Sequence, residues 1–406
     1  MEGPGAFRPS ALHRAWRIVP VRYRHRLLRK ASAALAPRKS TALPPTTPGI
    51  AVVGELSRAS GLGEGARLML RALRELGIPS HPMDIGPLLP GHRAVLPSPG
   101  CAPPPDGYAL VFHINPELLP LVLLRLPRRL TRGRRVIGYW AWELPVAPVH
   151  WREGAWFVHE AWAGSRFTAA ALEPILPGRV RVVPYPVALG FTRTESDRAR
   201  FNLPGDAVVV LVSVNLASSF ERKNPFAAVR AFQTAFGERA DRILVLKTGN
   251  PDHFPAESAR LFSIIKAAPN IRLMTEPLSA TDSLALTASA DIVLSLHRSE
   301  GYGLVIAEAM LHGKPVIATG WSGNMDFMDE TNSIPVPYRL VPVSDPRGVY
   351  DVPGAVWAEP DIEFAAGELR RLADDPVARR VLGCQAQAAA SRLDATTALA
   401  TAVHPV

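Results

Sequence analysis

Hydrophobic and polar positions divide the chain into two successive halves in which strand and helix patterns alternate. Short apolar runs of the kind that form buried strands occur in the first half at 49–54, 108–114, 134–140, 156–163 and 179–185. The first run is followed by a helix pattern, with apolar residues every three or four positions, that ends near Gly77 and Pro79. This order predicts a parallel sheet covered by helices.

The same alternation begins again after a segment rich in proline and glycine, 184–205. Strand patterns follow at 207–214, 242–248, 271–275, 291–296 and 315–320, and helix patterns near 223–236, 256–267, 281–289 and 303–312. The two halves predict an α/β protein of two Rossmann-like, doubly wound domains that face each other across a cleft. Ligands of such sheets bind beyond the carboxyl ends of the strands, so candidate chemistry is expected there.

We therefore predict four segments. Residues 1–48 form a basic N-terminal tail, 49–190 a first Rossmann-like domain for the acceptor side, 191–385 a second one for nucleotide binding, and 386–406 a C-terminal helix that crosses back to the first domain. A chain of 406 residues exceeds the size of one hydrophobic core, which agrees with two domains.

Composition excludes several classes of protein. Cys101 and Cys384 lie far apart and lack metal-ligand spacing, which argues against a disulfide framework or zinc site and favours a reducing, cytoplasmic location. The longest apolar stretch, 118–130, is interrupted by prolines and arginines, so no membrane span is expected. The N-terminus lacks the layout of a secretion signal, and we expect no export.

The basic charge is concentrated in the tail. Residues 1–48 contain ten lysines and arginines and one acid, within a net charge of +10 for the chain, so the body is nearly neutral and no nucleic-acid partner is expected. Residues 8–39 mix arginines with Trp16, Tyr23 and Leu27, a composition suited to an anionic membrane surface. A disordered, solvated leader is an equal alternative, because Pro20 interrupts any helix drawn through the segment.

The stretch RSEGYGLVIAEAM, residues 298–310, places Glu300 and Glu308 eight positions apart directly after a strand pattern. Gly301 and Gly303 predict a tight turn before a helix whose free N–H groups and positive dipole end suit a phosphate. Glu308 lies about 7.5 Å further along the helix axis, at about 1.5 Å per residue. Because a carboxylate accepts hydrogen bonds from neighbouring hydroxyls, the spacing suits a nucleoside-diphosphate sugar, although an isolated pair of this kind is more often solvated.

The surrounding sequence resembles a known family. SEGYGLVIAEAMLHGKPVIATGWSGNMDFM, residues 299–328, is similar to the signature region of retaining glycosyltransferases of family four, which have the GT-B fold. Residues 218–236 resemble the phosphate-binding lysine segment of that family. Residues 137–145 and 159–167 resemble a subgroup that acts on bacterial surface polysaccharides. The resemblance covers about 49–400 and is more specific in the second half.

The resemblance implies a donor site. Glu300 would contact the donor sugar as the main catalytic group, Glu308 would bind the ribose, and Lys223 with Arg222 would neutralise the diphosphate. Lys247 is added because it ends a strand that faces the same cleft. An arginine that the family often has before this lysine is absent from VSVNLASS. The remaining implied donor-site residues are Gly301, Tyr302, Gly303, Leu304, Ser322, Gly323 and the acid Asp326.

Acceptor-side candidates lie in the first half. We expect Gly61, Gly63 and Gly65 to form a loop that lets the backbone approach a ligand, although their spacing is not that of a dinucleotide fingerprint. His113, at a strand end, is the candidate polar group near the reacting carbon, and a structural histidine is the alternative.

Three further residues of the first half, Trp140, Trp142 and Glu143, are candidates for an acceptor site through ring stacking and hydroxyl binding. The alternative interpretation of the two tryptophans is that they are core aromatics.

The resemblance implies transfer of a hexosyl unit with retention, in which the phosphate oxygen of the donor accepts the proton of the acceptor. The acceptor would be a glycan or lipid-linked glycan, and the basic tail favours one at the inner face of the plasma membrane. No D-x-D triplet occurs, so neither a metal nor another cofactor is expected. The alternatives are an epimerase of the same fold, a Rossmann oxidoreductase, and a non-enzymatic basic protein that binds a membrane surface.

Overall fold

Two parallel six-stranded sheets form the body of the protein. The computed structural model describes residues 21–45, 49–89, 94–393 and 395–403. The first sheet has the order β2-β1-β3-β4-β5-β6 and the second β12-β11-β10-β7-β8-β9. The strands of the first sheet are β1 Ile50–Gly54, β2 Ser80–Asp84, β3 Ala109–His113, β4 Val136–Tyr139, β5 Glu160–Ala163 and β6 Val180–Val182. Those of the second are β7 Val208–Asn215, β8 Arg242–Gly249, β9 Ile271–Met274, β10 Ile292–Ser295, β11 Val316–Thr319 and β12 Ile334–Val336.

Helices cover the sheets, and several begin at a serine or aspartate whose side chain caps the first turn, which is a common sequence feature of helix starts. In the first half they are α1 Val21–Leu35, α2 Gly61–Glu75, α3 Leu119–Arg125 and α4 Arg166–Leu172. In the second half they are α5 Phe220–Lys223, α6 Pro225–Phe236, α7 Pro255–Lys266, α8 Ala280–Ser289, α9 Leu304–Leu311, α10 Ile362–Asp374, α11 Pro376–Ser391 and α12 Ala395–Val403.

The predicted fold class of two Rossmann-like α/β domains is confirmed, with local differences. The run at 156–163 is a strand only from Glu160, because Val149–Trp156 forms turns of 3₁₀-helix. The edge strands β2 and β12 had not been predicted, since they are short and contain proline. An antiparallel hairpin of β13 Tyr338–Pro342 and β14 Val356–Pro360 also lies outside the predicted pattern.

The described part of the N-terminal tail is folded onto the first domain. Helix α1 packs against α3 and buries Ser32 and Ala33. Arg29 forms an ion pair with Glu153 at 2.5 Å. A disordered leader is therefore wrong for residues 21–45, while residues 8–20 of the proposed membrane segment lie outside the described residues. No described helix has both the length and the apolar composition needed to cross a membrane.

The C-terminal helix α12 packs against the first sheet. The Arg135 guanidinium donates to the carbonyl of Ala402 at 3.2 Å and also pairs with Glu160. Arg181, on the edge strand β6, contacts the other oxygen of Glu160 at 3.2 Å. The end of the chain is thus held to the first domain by a buried arginine that needs both its carboxylate and its carbonyl partner.

The glycine-rich segment 60–67 is helical, so the expected loop is wrong. Helix α2 begins at Gly61, and the Ser60 side chain caps it by accepting a hydrogen bond from the N–H of Gly63 at 3.1 Å. A Cβ at Gly63 would lie 2.5 Å from the carbonyl oxygen of Glu55. A Cβ at Gly65 would lie 2.1 Å from the ring of Tyr185. Contacts within the chain explain both of these glycines without a ligand.

We predict that Gly65→Ala destabilises the protein by about 1–3 kcal/mol, since the added methyl group overlaps the buried Tyr185 ring. Gly61→Ala is the matched control, because its Cβ would meet no atom within 4 Å, and we expect it to change stability by less than about 1 kcal/mol. Urea unfolding of both variants measures the difference. Equal free energies of unfolding would contradict the packing explanation.

Candidate active site

Two adjoining turns of the second domain hold the backbone of Glu300 in place. The N–H of Glu300 donates to Ser322 Oγ at 2.8 Å, and the N–H of Gly323 donates to the carbonyl of Glu300 at 2.9 Å. A Cβ at Gly323 would lie 2.2 Å from the carbonyl oxygen of Gly301, so only glycine fits there. Gly303 has φ +98, a conformation that side chains disfavour, and it leads directly into α9. The sequence-predicted turn residues are therefore brought together.

Glu300 lies in a buried cluster with two cations. Its Oε1 is 2.5 Å from Lys223 Nζ, and its Oε2 is 3.2 Å from Arg222 Nη1. Arg222 is 2% exposed and Glu300 9% exposed. Burial alone would raise the pKa of Glu300, but the charges of Lys223 and Arg222 outweigh burial and lower that pKa to about 2. Glu300 is thus an ionised carboxylate near neutral pH and carries no proton to donate.

The short helix α5 delivers both cations to Glu300. Ser219 caps this single turn by accepting a hydrogen bond from the N–H of Arg222 at 3.2 Å, and Asn224, with φ 50, ends it. Arg222 Nη1 also donates to the carbonyl of Ser299 at 2.7 Å. Burial lowers the pKa of Lys223, and the Glu300 charge opposes that shift. The two residues predicted to bind diphosphate therefore face the predicted sugar-binding carboxylate.

The first domain contacts this cluster through Glu143. Glu143 Oε1 lies 3.8 Å from Arg222 Nη2. Ser299 Oγ donates to the backbone carbonyl of Glu143. Glu143 had been predicted on the acceptor side, and the structure places it beside a predicted donor-side cation. It therefore contributes a second carboxylate to the charge balance around Arg222.

The turn at 300–303 also docks on the start of α4. The carbonyl of Gly301 accepts hydrogen bonds from Ser165 Oγ at 2.6 Å and Thr168 Oγ1 at 3.2 Å. Asp326 accepts from the N–H of Arg166 at 2.7 Å. Because α4 belongs to the first domain, these bonds join the two halves at the candidate site.

Glu308 lies partly buried on α9, where the charges of Glu64 and Arg71 on α2 influence it. Burial raises its pKa to about 7, the charge of Glu64 adds to this shift, and Arg71 opposes it. Lys247 donates to the carbonyl of Thr248 at 3.1 Å, and burial lowers its pKa against the opposing charge of Glu276. Among the described residues Lys247 forms no ion pair with the Glu300 cluster.

His113 and Trp140 occupy the interior of the first domain. His113 is fully buried, its ring stacks on Tyr139 with centroids 4.5 Å apart, and burial lowers its pKa to about 3. Trp140 is also fully buried and packs edge-on against Trp151 at 6.2 Å. This geometry favours the structural interpretation of both residues.

Aromatic rings continue from His113 into the second domain. Tyr139 packs against Tyr185 at 5.0 Å, Tyr185 against Tyr302 at 5.2 Å, and Tyr302 against Phe327 at 5.1 Å. Tyr302, predicted on the donor side, thus has its side chain in the contact between domains. These five rings, His113, Tyr139, Tyr185, Tyr302 and Phe327, are called the aromatic column.

Sequence reasoning missed several polar residues at this site. Ser165 and Thr168 follow a helix-start pattern in GSRFT that could have marked α4, but their partner on Gly301 is 136 residues away from Ser165 and leaves no local pattern. Asn324 binds the carbonyl of Thr319 at 3.0 Å and lies 3.1 Å from a ring nitrogen of His297. The described residues contain no group of three or more His, Cys, Asp or Glu side chains placed to hold a metal ion.

The two parallel six-stranded sheets have the GT-B fold, and the family match places the chain in the class of GT-B glycosyltransferases. The chain belongs to the family described as "Family 4 Glycosyltransferase in conflict systems", whose pattern matches residues 164–381, more than half of the chain.

One curated relative is similar to part of the chain. A D-inositol 3-phosphate glycosyltransferase of Nocardioides sp. is 29% identical over 184 residues, which is 42% of this chain and 39% of that relative. The match thus spans about two fifths of the relative's length.

Solved structures support the fold class at low identity. HepE of Anabaena, in complex with UDP and glucose, has a TM-score of 0.60 at 15% identity over 89% of this chain and 100% of that one. WaaG, a glycosyltransferase involved in lipopolysaccharide biosynthesis, has a TM-score of 0.56 at 15% identity over 87% and 98%.

We predict that Glu308 makes stability depend on pH. The unfolded chain releases the Glu308 proton near its ordinary pKa of 4.5, whereas the folded protein holds it to about pH 7. The stability contributed by this group is therefore complete below pH 4.5 and is lost as pH rises through 7. Glu308→Gln should remove this part of the pH dependence, on the order of 1–3 kcal/mol.

Urea unfolding at pH 5, 6, 7 and 8 measures the effect, with the exposed Glu330→Gln as the matched control. A Glu308→Gln profile parallel to those of the wild type and the control would show that the carboxyl is solvated in the folded protein.

Proposed function

We propose that this protein is a retaining glycosyltransferase that moves a hexosyl unit from an NDP-sugar to a glycan or lipid-linked glycan in bacterial surface polysaccharide synthesis. The observation that carries the proposal is the buried contact of Glu300 with Arg222 and Lys223 beside the start of α9. Family membership supports the transferase class. The UDP and glucose bound by HepE and the lipopolysaccharide role of WaaG support the substrate classes.

The donor diphosphate binds at Arg222 and Lys223. In the described part of the chain no side chain caps helix α9 at Leu304, so its first N–H groups are available to the same anion. Glu300 then accepts hydrogen bonds from the sugar hydroxyls, and Glu308 from the ribose diol. The remaining contacts come from the backbone of Gly301, Tyr302 and Gly303 and from Ser322 and Gly323, with Lys247 further along the cleft.

The chemistry depends on charge stabilisation. The bond between the anomeric carbon and the diphosphate oxygen breaks, the acceptor oxygen bonds to the same face of that carbon, and the acceptor proton passes to the departing phosphate. Arg222 and Lys223 stabilise the negative charge that develops on the diphosphate. Glu300, ionised and paired, orients the sugar and does not act as an acid. This scheme requires no protein nucleophile, metal or other cofactor.

Donor entry requires the two domains to separate. Arg222 and Glu300 are buried in the present arrangement of the domains. Movement at the 184–205 linker opens the site, and closure then excludes water and limits donor hydrolysis. The domain boundaries near 190 and 385 are part of this proposal.

The tail suits a location at the inner face of the plasma membrane. Leu27, Leu28 and Leu35 are exposed on α1, among the exposed basic residues Arg26 and Lys30. Such a face suits an anionic membrane surface, where a lipid-linked acceptor would be found.

We expect one nucleotide series, UDP or GDP, to raise the melting temperature in the presence of EDTA, by the equivalent of about 2.7 kcal/mol at 100 times Kd. Lys223→Ala and Glu308→Ala should weaken the shift, because they remove the diphosphate cation and the ribose carboxylate. Lys266→Ala and Glu330→Ala remove the same groups at exposed positions and should behave as wild type.

The substrate assay follows with the nucleotide sugar of that series. Transfer to an added glycan with release of NDP fits the proposal. An epimerised donor without acceptor-dependent transfer would identify the enzyme as an epimerase instead. Stabilisation by NAD alone, or equal shifts in all four variants, would contradict a donor site at Glu300.

A further inference from the structure

A hairpin of the second domain reaches across to the first. Strands β13 and β14 pair antiparallel, with Tyr338 opposite Pro360, and 343–355 connects them. Residues 338–360 are here called the strap. Tyr350, near its tip, is 4% exposed and packs on Trp142 of the first domain with ring centroids 5.4 Å apart. Tyr350, Ala355 and Trp357 are part of the same hydrophobic cluster as the core of the first sheet. The strap therefore buries Tyr350, Ala355 and Trp357 against the domain opposite to its own.

The Tyr350 hydroxyl ends beside the candidate diphosphate cation. It donates to Glu143 Oε2 at 3.1 Å and lies 3.4 Å from the carbonyl of Ser218. Its ring lies under the Arg222 guanidinium, 5.7 Å from ring centroid to carbon. Glu143 is thus held on one oxygen by Tyr350 and faces Arg222 with the other, at 3.8 Å.

Arg222 takes its orientation from three parts of the chain. The second domain supplies Ser299 and Glu300, the first domain supplies Glu143, and the strap supplies the ring of Tyr350. Among the described residues the buried Nε of Arg222 has no hydrogen-bond partner, so the hydrogen bonds of the guanidinium come from its terminal nitrogens. When the domains separate, Arg222 loses the contacts from the first domain. Its orientation is therefore linked to closure.

We propose that Tyr350 and Glu143 are positioning residues that hold Arg222 for the donor diphosphate, so that the strap couples domain closure to leaving-group stabilisation. The inference rests on the proposed function, because it assigns Arg222 to a diphosphate. Tyr350 itself touches no reacting atom; it acts through Glu143 and Arg222. Closure of the strap over a donor then completes the cation site that the departing NDP needs.

Tyr350→Phe separates positioning from packing, because the ring against Trp142 stays and only the hydroxyl is lost. Glu143 then gains freedom to move, and Arg222 is less well oriented toward charge that develops in the transition state. We expect kcat to fall about tenfold, the effect of losing one hydrogen bond to a charged group. The donor KM should change less than about threefold, because the loss falls on transition-state rather than ground-state binding.

The control is Tyr338→Phe, which deletes the same hydroxyl from a 40% exposed tyrosine on the same hairpin. The wild type and both variants are compared in two assays. The first is steady-state hydrolysis of UDP-glucose and of GDP-mannose, which needs no acceptor. The second is hydrogen exchange of 343–355 without nucleotide, where Tyr350→Phe should exchange faster than the control.

Glu143→Gln provides a second variant that keeps an acceptor for Tyr350 but removes the charge that faces Arg222. It should leave exchange of 343–355 at the wild-type level and still lower kcat, a split that a merely structural role would not produce. If the wild type turns over a donor while Tyr350→Phe matches Tyr338→Phe in kcat and exchange, only this inference is overturned. A wild type that neither binds nor hydrolyses either donor overturns the proposed function as well.

Discussion

The buried pairing of Glu300 with Arg222 and Lys223 is the constraint on which the arrangement of both domains depends. Charges removed from water are costly unless each has a partner at short range, and loss of one partner leaves the others strongly unfavourable. The first domain supplies the second carboxylate, Glu143, and closes over the cluster. Two cations and two carboxylates then balance. A diphosphate at the proposed donor site would bring further negative charge and would displace a carboxylate from a cation, which would link donor binding to domain movement.

Apolar contacts between the two domains also hold them together around this cluster. The aromatic column runs from the first sheet to the turn at 300–303, and its middle ring, Tyr185, belongs to the segment between the domains. Gly65 has no side chain, which leaves space for the Tyr185 ring. The carbonyl of Gly301 also accepts hydrogen bonds from two hydroxyls at the start of α4. The glycines of both halves therefore serve close contact between parts of the chain, and the turn that carries Glu300 is also a joint between domains.

The parts that sequence predicted well are those with local patterns. Strands β7, β8 and β10 contain the apolar runs 208–212, 243–246 and 292–294 because both faces of a parallel sheet are buried, and α9 follows a glycine turn. The resemblance to the family assigned Glu300 and Lys223 to the same site, and the two side chains are in contact. Depth of burial was not readable, so the sequence alone could not show that His113 and Trp140 are fully buried. Helix α1 spans Val21–Leu35, where a solvated leader had been an equal alternative. Tyr350 contacts Arg222 only because the fold brings these two distant positions together, and no local sequence pattern predicts that contact.

The most direct test of the account is a crystal structure of the protein with UDP-glucose or GDP-mannose, whichever stabilises it. We predict that the diphosphate lies against Arg222, Lys223 and the first turn of α9, that the ribose hydroxyls contact Glu308, and that Lys223 has exchanged part of its contact with Glu300 for phosphate oxygens. A nucleotide bound elsewhere, with the Glu300 to Lys223 pair at its present 2.5 Å, would contradict the assignment of this cluster as the donor site.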